Sequence, residues 1–487
     1  MPTTNKVNAS LTLDGEKYNS FVSPSQYGLP RSSAELKLSP LDMHMPRVYV
    51  PRWILCFPLK IGVEKDQIYE NLKLGLAHTI SSIPWIAGRI GPCEGRDPRE
   101  NWIQILDSLS GVNFPYNDLS ELLPSYAALH AEHFPLSRLK TTPFLPIGLL
   151  PETPHPPVMA AQANFIEGGL LLAIGIHHSV SDASAVGAIL NIWAQNTAVA
   201  WGSTELNFSR FEPQCKDRSP LMLGTSGAKM VDFPEYYLQA TAITTVADGN
   251  SDRRTSTPLK LPPMTARIFH FSPSTLAALK AEAAAYSTND ALTAFLWRHM
   301  TLARNPVSQS KPAAHKIGET STVLYAANIR RRTSPPLPQN FLGNAFIAVK
   351  TDGLDISTLM SSSGLKIATS TIRKSLRRLT DVPNHISLTI GLMEQFGPTE
   401  LKYAYNGFLG PDIMATSWAD VGVYNNVWGD LGKAECFRIP GEGSDGNMAV
   451  FPRLKNGGLE VWVALKTEVM ERLVGDRDFL AKAELWA

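Results

Sequence analysis

Apolar and polar positions alternate along Val48 to Ile61, the period of a strand. The spacing becomes helical over Asp66 to Ile83, where Ile68, Leu72, Leu76 and Ile80 fall on one face. Leu170 to Ile176 is an unbroken apolar run with the length and content of a buried strand. It stops at the polar turn His177-His178-Ser179-Val180-Ser181-Asp182. Helical periodicity follows through Val186, Ile189, Leu190 and Trp193, with Ser181 and Asp182 as candidate N-caps.

A long interruption divides the pattern. From about Ser203 to Pro263 the chain is polar and irregular, contains Asp248-Gly249-Asn250-Ser251-Asp252-Arg253-Arg254 and closes on Pro262-Pro263, which predicts a crossover between domains. Beyond it Ser272 caps a helix that carries Pro273 in its first turn and runs to about Ala284. A second helix, Asn289 to Ala303, is capped near Ser287, and Thr322 to Asn328 reads as a strand. Met448 to Leu454 and Leu459 to Leu465 flank Lys455-Asn456-Gly457-Gly458, where Asn-Gly suits the positive φ angles of a tight hairpin; a last helix begins near Thr467. No solenoid-length repeat and no low-complexity tract interrupts this order.

A length of 487 residues exceeds what one core organises. The expected division is an N-terminal domain over 1–205, a crossover over 206–263 and a C-terminal domain over 264–487, in an α/β architecture of mixed sheets and helices. With 44% hydrophobic and 18% charged residues the composition is ordinary for a globular protein, and a net charge of +1 supplies no field to recruit nucleic acid or an anionic membrane. Four scattered cysteines, Cys56, Cys93, Cys215 and Cys436, form no disulfide framework. Met1 to Leu11 has no secretory pattern, and no apolar run reaches the ~18 residues of a membrane span. A cytoplasmic monomer is expected.

Among the 11 histidines, His178 alone has an aspartate four residues later, Asp182, and it follows directly on the buried strand. Histidine suits proton transfer because its ordinary pKa of about 6.5 leaves the ring neutral and basic near physiological pH. Gly169-Leu170-Leu171-Leu172-Ala173-Ile174-Gly175-Ile176-His177-His178-Ser179-Val180-Ser181-Asp182-Ala183 resembles the catalytic segment of the BAHD acyltransferases and related condensation domains. The resemblance extends to Leu38-Ser39-Pro40-Leu41-Asp42, to Ser287-Thr288-Asn289-Asp290-Ala291-Leu292, and to Asn328-Ile329-Arg330-Arg331-Arg332-Thr333-Ser334-Pro335-Pro336-Leu337-Pro338 with Gly343-Asn344. Ser417-Trp418 and Leu431-Gly432-Lys433 resemble the fungal, trichothecene 3-O-acetyltransferase-like branch of that family.

The resemblance implies a two-domain fold with the active site in an interdomain channel. It implies direct acyl transfer from acyl-CoA to a hydroxyl or amine of a small specialised metabolite, with His178 as general base and no covalent acyl-enzyme. Acyl-CoA is then a co-substrate, and no tightly bound cofactor is expected. Asp182 takes an orienting role, with Arg330 as its candidate partner. The second family signature, DFGWG, is altered to Tyr424-Asn425-Asn426-Val427-Trp428-Gly429-Asp430. One register sets Asn426 at the family aspartate, and another keeps Trp428-Gly429 on the family Trp-Gly.

Several residues carry two readings. His177 points away from His178 if the strand persists, which favours a core role. Ser39 is either an oxyanion donor or an ordinary turn serine before Pro40. Trp428 either lines the channel or packs in a core. Arg373, Lys374, Arg377 and Arg378 either meet the CoA phosphates or form a solvated helix face. No phosphate-binding GxxxxGK[ST] loop and no clustered Cys/His set is present, so no metal is expected. Two further functions fit the same residues: a repurposed enzyme that cyclises or condenses without CoA, and a catalytically silent metabolite-binding protein.

Overall fold

The computed structural model describes residues 20–25, 36–95, 100–106, 111–139, 144–202, 207–239, 261–306 and 319–487. Met1 to Leu11 and the run Asp248 to Arg254 lie outside them. In chain order the elements that build the site are β1 (Tyr49–Pro58), α1 (Lys65–Ser82), β2 (Met159–Ile166), β3 (Gly169–His177), α2 (Ala183–Ala200), β4 (Met264–Phe271), α3 (Pro273–Glu282), α4 (Thr288–Arg304), β5 (Val323–Asn328), β6 (Phe346–Lys350), α5 (Gly364–Asp381), α6 (His385–Gln395), β7 (Ile413–Ser417), β8 (Cys436–Arg438), β9 (Asn447–Val450), β10 (Leu459–Lys466) and α7 (Thr467–Val474).

Two mixed sheets, each of seven strands among the described residues, form the frame. The first runs Phe21–Val22, Val112–Asn113, β2, β3, β1, β8, with Tyr116–Asp118 also paired to β2. β2 and β3 are buried along their whole length. The β1–β3 ladder shifts register between Tyr49 and Arg52; the stretch contains Pro51, which has no N–H to give. The second sheet runs β6, β5, β7, β9, β10, β4, Glu484–Leu485. α3, α4 and α5 bury their apolar faces on it through Leu276, Phe295, Trp297 and Ile372.

Local signals account for the elements that were legible. Ser287 accepts from Asp290 N while the Asp290 side chain takes the Ser287 N–H, a capping box that starts α4; Ser272 caps α3 with Pro273 at its first position. The Asn456-Gly457 connection is a tight turn, closed by Leu454 N–H to the Gly458 carbonyl at 3.0 Å and Gly457 N–H to the Leu454 carbonyl at 2.8 Å; of that pair only Gly457 has positive φ, 87°.

The two halves are interwoven. β8 pairs with β1 as Cys436↔Cys56 and Arg438↔Ile54, so the first sheet takes a strand from far along the second half. Trp418, Trp428 and Phe437 enter the same core as Trp53 and Trp193. Arg438, buried on β8, pairs with Glu460 on β10 at 2.9 Å and ties one sheet to the other. The crossover is itself structured where described: Tyr236–Leu238 pairs with Leu401–Tyr403, and its backbone presses on α6 at Gly224 and Gly391. A Cβ on Gly224 would stand 2.0 Å from the Gly391 nitrogen, so only glycine admits this approach.

Candidate active site

β3 ends at His177 and presents His178 at the seam. His177 is buried, its ring edge-on to Tyr49 at 5.4 Å, and burial, then Arg47 and His178, push its pKa down to about 3. His178 is the first residue beyond the strand. Its N–H donates to the Val48 carbonyl at 2.8 Å, and its half-buried ring lies 5.9 Å from that of Phe346. Nδ1 is sealed from solvent without a hydrogen-bond partner, whereas Nε2 is not sealed. Burial lowers the His178 pKa below its usual value, although its own carbonyl, Asp182, Asn344 and Asp42 pull upward. A ring held neutral is ready to accept a proton.

Asp182 faces away from that ring. It is the N-cap of α2, accepting from Ala185 N at 2.9 Å, and it takes Arg330 in a two-pronged pair, Nη1 to Oδ2 at 2.8 Å and Nη2 to Oδ1 at 2.9 Å. Ala345 N adds a bond to Oδ2 at 2.9 Å, while Arg330 Nη2 also reaches the Phe341 and Gly343 carbonyls at 2.8 and 3.2 Å. Burial alone would raise the Asp182 pKa; Arg330 and the two backbone N–H groups outweigh it and bring the net shift down. The pair spans the halves and fixes the start of α2 beneath the histidine.

A second buried ion pair stands behind the first. Ser39 and Asp42 form a capping box, with Ser39 Oγ donating to Asp42 Oδ2 at 2.8 Å; Arg218 pairs with the same carboxylate and donates to the Val180 carbonyl at 2.9 Å. Asp42 Oδ1 takes Asn344 N at 3.0 Å and Asn344 Nδ2 at 2.8 Å, and Nδ2 also donates to the His178 carbonyl at 2.8 Å. Ser39 therefore sits near the site, but its one hydroxyl proton is committed to Asp42 and is turned from any oxyanion.

The remaining predicted residues fall elsewhere. Trp428 is fully buried between Phe57 and Trp193, at ring distances of 5.9 and 5.4 Å. Asn426 accepts from Asn191 of α2 at 2.9 Å, and its Nδ2 is buried without a partner. Asn191 lies nine residues along α2 from Asp182, roughly 13 Å at helical rise. On α5, Arg373 is held by Asp290 and lies 4.2 Å over the Tyr286 ring; Lys374 pairs with Asp352 at 2.7 Å on the exposed side, and Arg378 pairs with Glu235 at 3.2 Å. Asp42, Arg218 and Asn344 were assigned no role from sequence. Ser39-x-x-Asp42 carried a legible capping signal; Arg218, a lone arginine in the crossover, carried none.

A cavity of about 240 Å³ opens beside Tyr49, walled by Arg89, Ile147, Leu150 and Pro157. His178 is not in its lining. Among the described residues no group of three His, Cys, Asp or Glu is arranged for a metal, and no helix is long and apolar enough to cross a membrane.

The model of the transferase family matches residues 17–480. The acyltransferase easC of Emericella nidulans is 29% identical over 475 residues, covering 94% of this chain and 96% of that protein. The eremophilane O-acetyltransferase prx11 of Penicillium rubens is 28% identical, covering 91% and 97%. Among solved structures, F. graminearum TRI101 complexed with coenzyme A and T-2 mycotoxin shares the fold, with a TM-score of 0.76 at 20% identity over 93% of this chain and 100% of that one. The chain belongs to the transferase family, as an acyltransferase of the BAHD type. Its two-sheet α/β frame is the BAHD fold.

Proposed function

We propose that the protein transfers an acyl group from acyl-CoA to a hydroxyl of a small specialised metabolite, with His178 as general base. The observation that carries this reading is His178 itself. It is half-buried with Nε2 open and its pKa held down by burial, and it is anchored by two buried ion pairs, Asp182–Arg330 across the halves and Asp42–Arg218 between the N-terminal half and the crossover. Nε2 takes the acceptor proton as the acceptor oxygen bonds to the thioester carbonyl carbon. The carbon–sulfur bond then breaks, and the proton passes from the imidazolium to the leaving thiolate.

The eremophilane O-acetyltransferase relative favours oxygen over nitrogen as the attacking atom, and acetyl as the first donor to try. Family membership favours acyl transfer over CoA-free cyclisation and over silent binding. The altered segment at 424–430 does not oppose it, because Asn426 and Trp428 contact α2 midway along its length, at Asn191 and Trp193. We place the channel between an N-terminal domain at 1–205 and a C-terminal domain at 264–487, joined by the crossover at 206–263, in a monomer acting in the cytoplasm. The test is mass-resolved turnover of the intact protein with a panel of acyl-CoAs and terpenoid or polyketide alcohols. Acylated product with stoichiometric release of CoA is expected; product formed without any thioester would overturn the reading.

A further inference from the structure

Asn344 stands where the two buried ion pairs meet. Its N–H and Nδ2 donate to Asp42, its Nδ2 also donates to the His178 carbonyl, and the N–H of Ala345 donates to Asp182. The carboxamide has one tenable orientation. Turned over, it would set Oδ1 against the Asp42 carboxylate and the His178 carbonyl, and acceptors would face acceptors. In the orientation found, Oδ1 is sealed from solvent with no partner, and so is His178 Nδ1.

These two orphaned atoms belong to side chains already joined through the His178 backbone, and a buried polar atom left unpaired is costly. Among the groups that raise the basicity of His178, its own backbone carbonyl comes first, then Asp182, then the hydrogen-bonding side chain of Asn344. Asp182 is unavailable to the ring, because both its oxygens are taken by Arg330, Ala185 and Ala345.

We propose that Asn344 is the positioning residue of His178: its Oδ1 accepts from Nδ1–H, and so keeps the neutral ring's lone pair on Nε2, where the acceptor proton is taken. Asp42, itself clamped by Arg218 and Ser39, holds the carboxamide in place. The arrangement uses a neutral amide where other histidine bases have a carboxylate. The imidazolium gains no full countercharge from it, and the ring stays neutral at physiological pH. The charged groups around the ring are Asp42 and Asp182, each balanced by its arginine, Arg218 or Arg330, with His177 and Arg47 on the neighbouring turn.

This inference rests on the general-base reading of His178, and its test separates the two. In protein labelled with ¹⁵N-histidine, the His178 signals are those lost in His178→Ala. At neutral pH the wild type is expected to show a protonated Nδ1 and an unprotonated Nε2. Asn344→Leu, which keeps most of the volume and removes the acceptor, is expected to shift the population toward Nε2–H. It should lower kcat roughly 10- to 100-fold with little change in KM for acyl-CoA, and move the acid limb of the pH–rate profile to lower pH. Asn344→Ser, which restores a hydroxyl, should recover part of each effect.

A wild-type ring protonated on Nε2 would overturn the proposal, whether or not Asn344→Leu folds. An Asn344→Leu protein that keeps the Nδ1–H form and an unmoved acid limb would also overturn it. Full turnover by His178→Ala would instead sink the general-base reading, whatever the tautomer.

Discussion

The two signature segments of the chain, 178–182 and 424–430, are held by different physics. The first is locked by charge: Asp182 and Arg330 meet through two hydrogen bonds in a site where both are buried, with every Asp182 oxygen further bonded to backbone N–H. The second is neutral: Asn426 meets Asn191 through one amide bond, and Trp428 fills space against Phe57 and Trp193. Both segments brace α2, one at its first turn and one midway along. The difference is one of what each side chain leaves behind: without Asp182 a buried cation loses its partner, whereas Asn426 contributes one neutral amide bond. A buried ion pair fixes direction at the point where His178 must be aimed, whereas packing suffices further along the helix.

That contrast breaks most visibly at Asp182. Asp182→Ala strands Arg330 as an uncompensated buried cation, and unfolding free energy should fall by about 3–5 kcal/mol in urea titration, with turnover lost alongside. The effect has a pH signature. The folded-state pKa of Asp182 lies below its unfolded value, so its stabilisation is present above the unfolded pKa and is lost as pH falls through the folded one. The wild type should therefore lose stability with acid over that range more steeply than the variant.

Asn426→Ala tests the neutral segment. It removes one amide bond and should cost about 0.5–1.5 kcal/mol, with kcat changed by less than a few-fold. A loss of turnover as deep as that of Asp182→Ala would show that the second segment also aims the base. The smallest effect belongs to Lys374→Ala. Its pair with Asp352 is exposed on both sides, and thermal unfolding should report a change within about 0–1 kcal/mol. An unchanged KM for acyl-CoA in the same variant would assign that helix face to solvent; a raised KM would return it to the CoA phosphates.

Elements with local signals are legible in the sequence alone. Period fixed α1 and β3, and the Ser287-to-Asp290 and Ser272-Pro273 starts fixed α4 and α3, because capping is decided within four residues. β2 escaped, since Gln162 and Asn164 interrupt its apolar pattern; in the fold they bond each other at 2.7 Å inside the sheet. β8 is three residues long and pairs with a strand some 380 positions earlier, a contact that no window can see. At the site His178 and Asp182 were visible from spacing, and Arg330 from family resemblance. The second ion pair was not, because Asp42 and Arg218 are 176 residues apart and Arg218 lies in a segment with no periodicity. The oxyanion reading of Ser39 required knowing where its hydroxyl proton goes, which depends on Asp42 being buried beside it.

The central claim is that His178 removes the acceptor proton, and the most direct measurement is kcat/KM of purified His178→Ala beside wild type, with thermal unfolding of both recorded. A protein that unfolds at the wild-type temperature and turns over about 10²- to 10⁴-fold more slowly is the predicted result. A folded His178→Ala protein with undiminished kcat/KM would contradict the account.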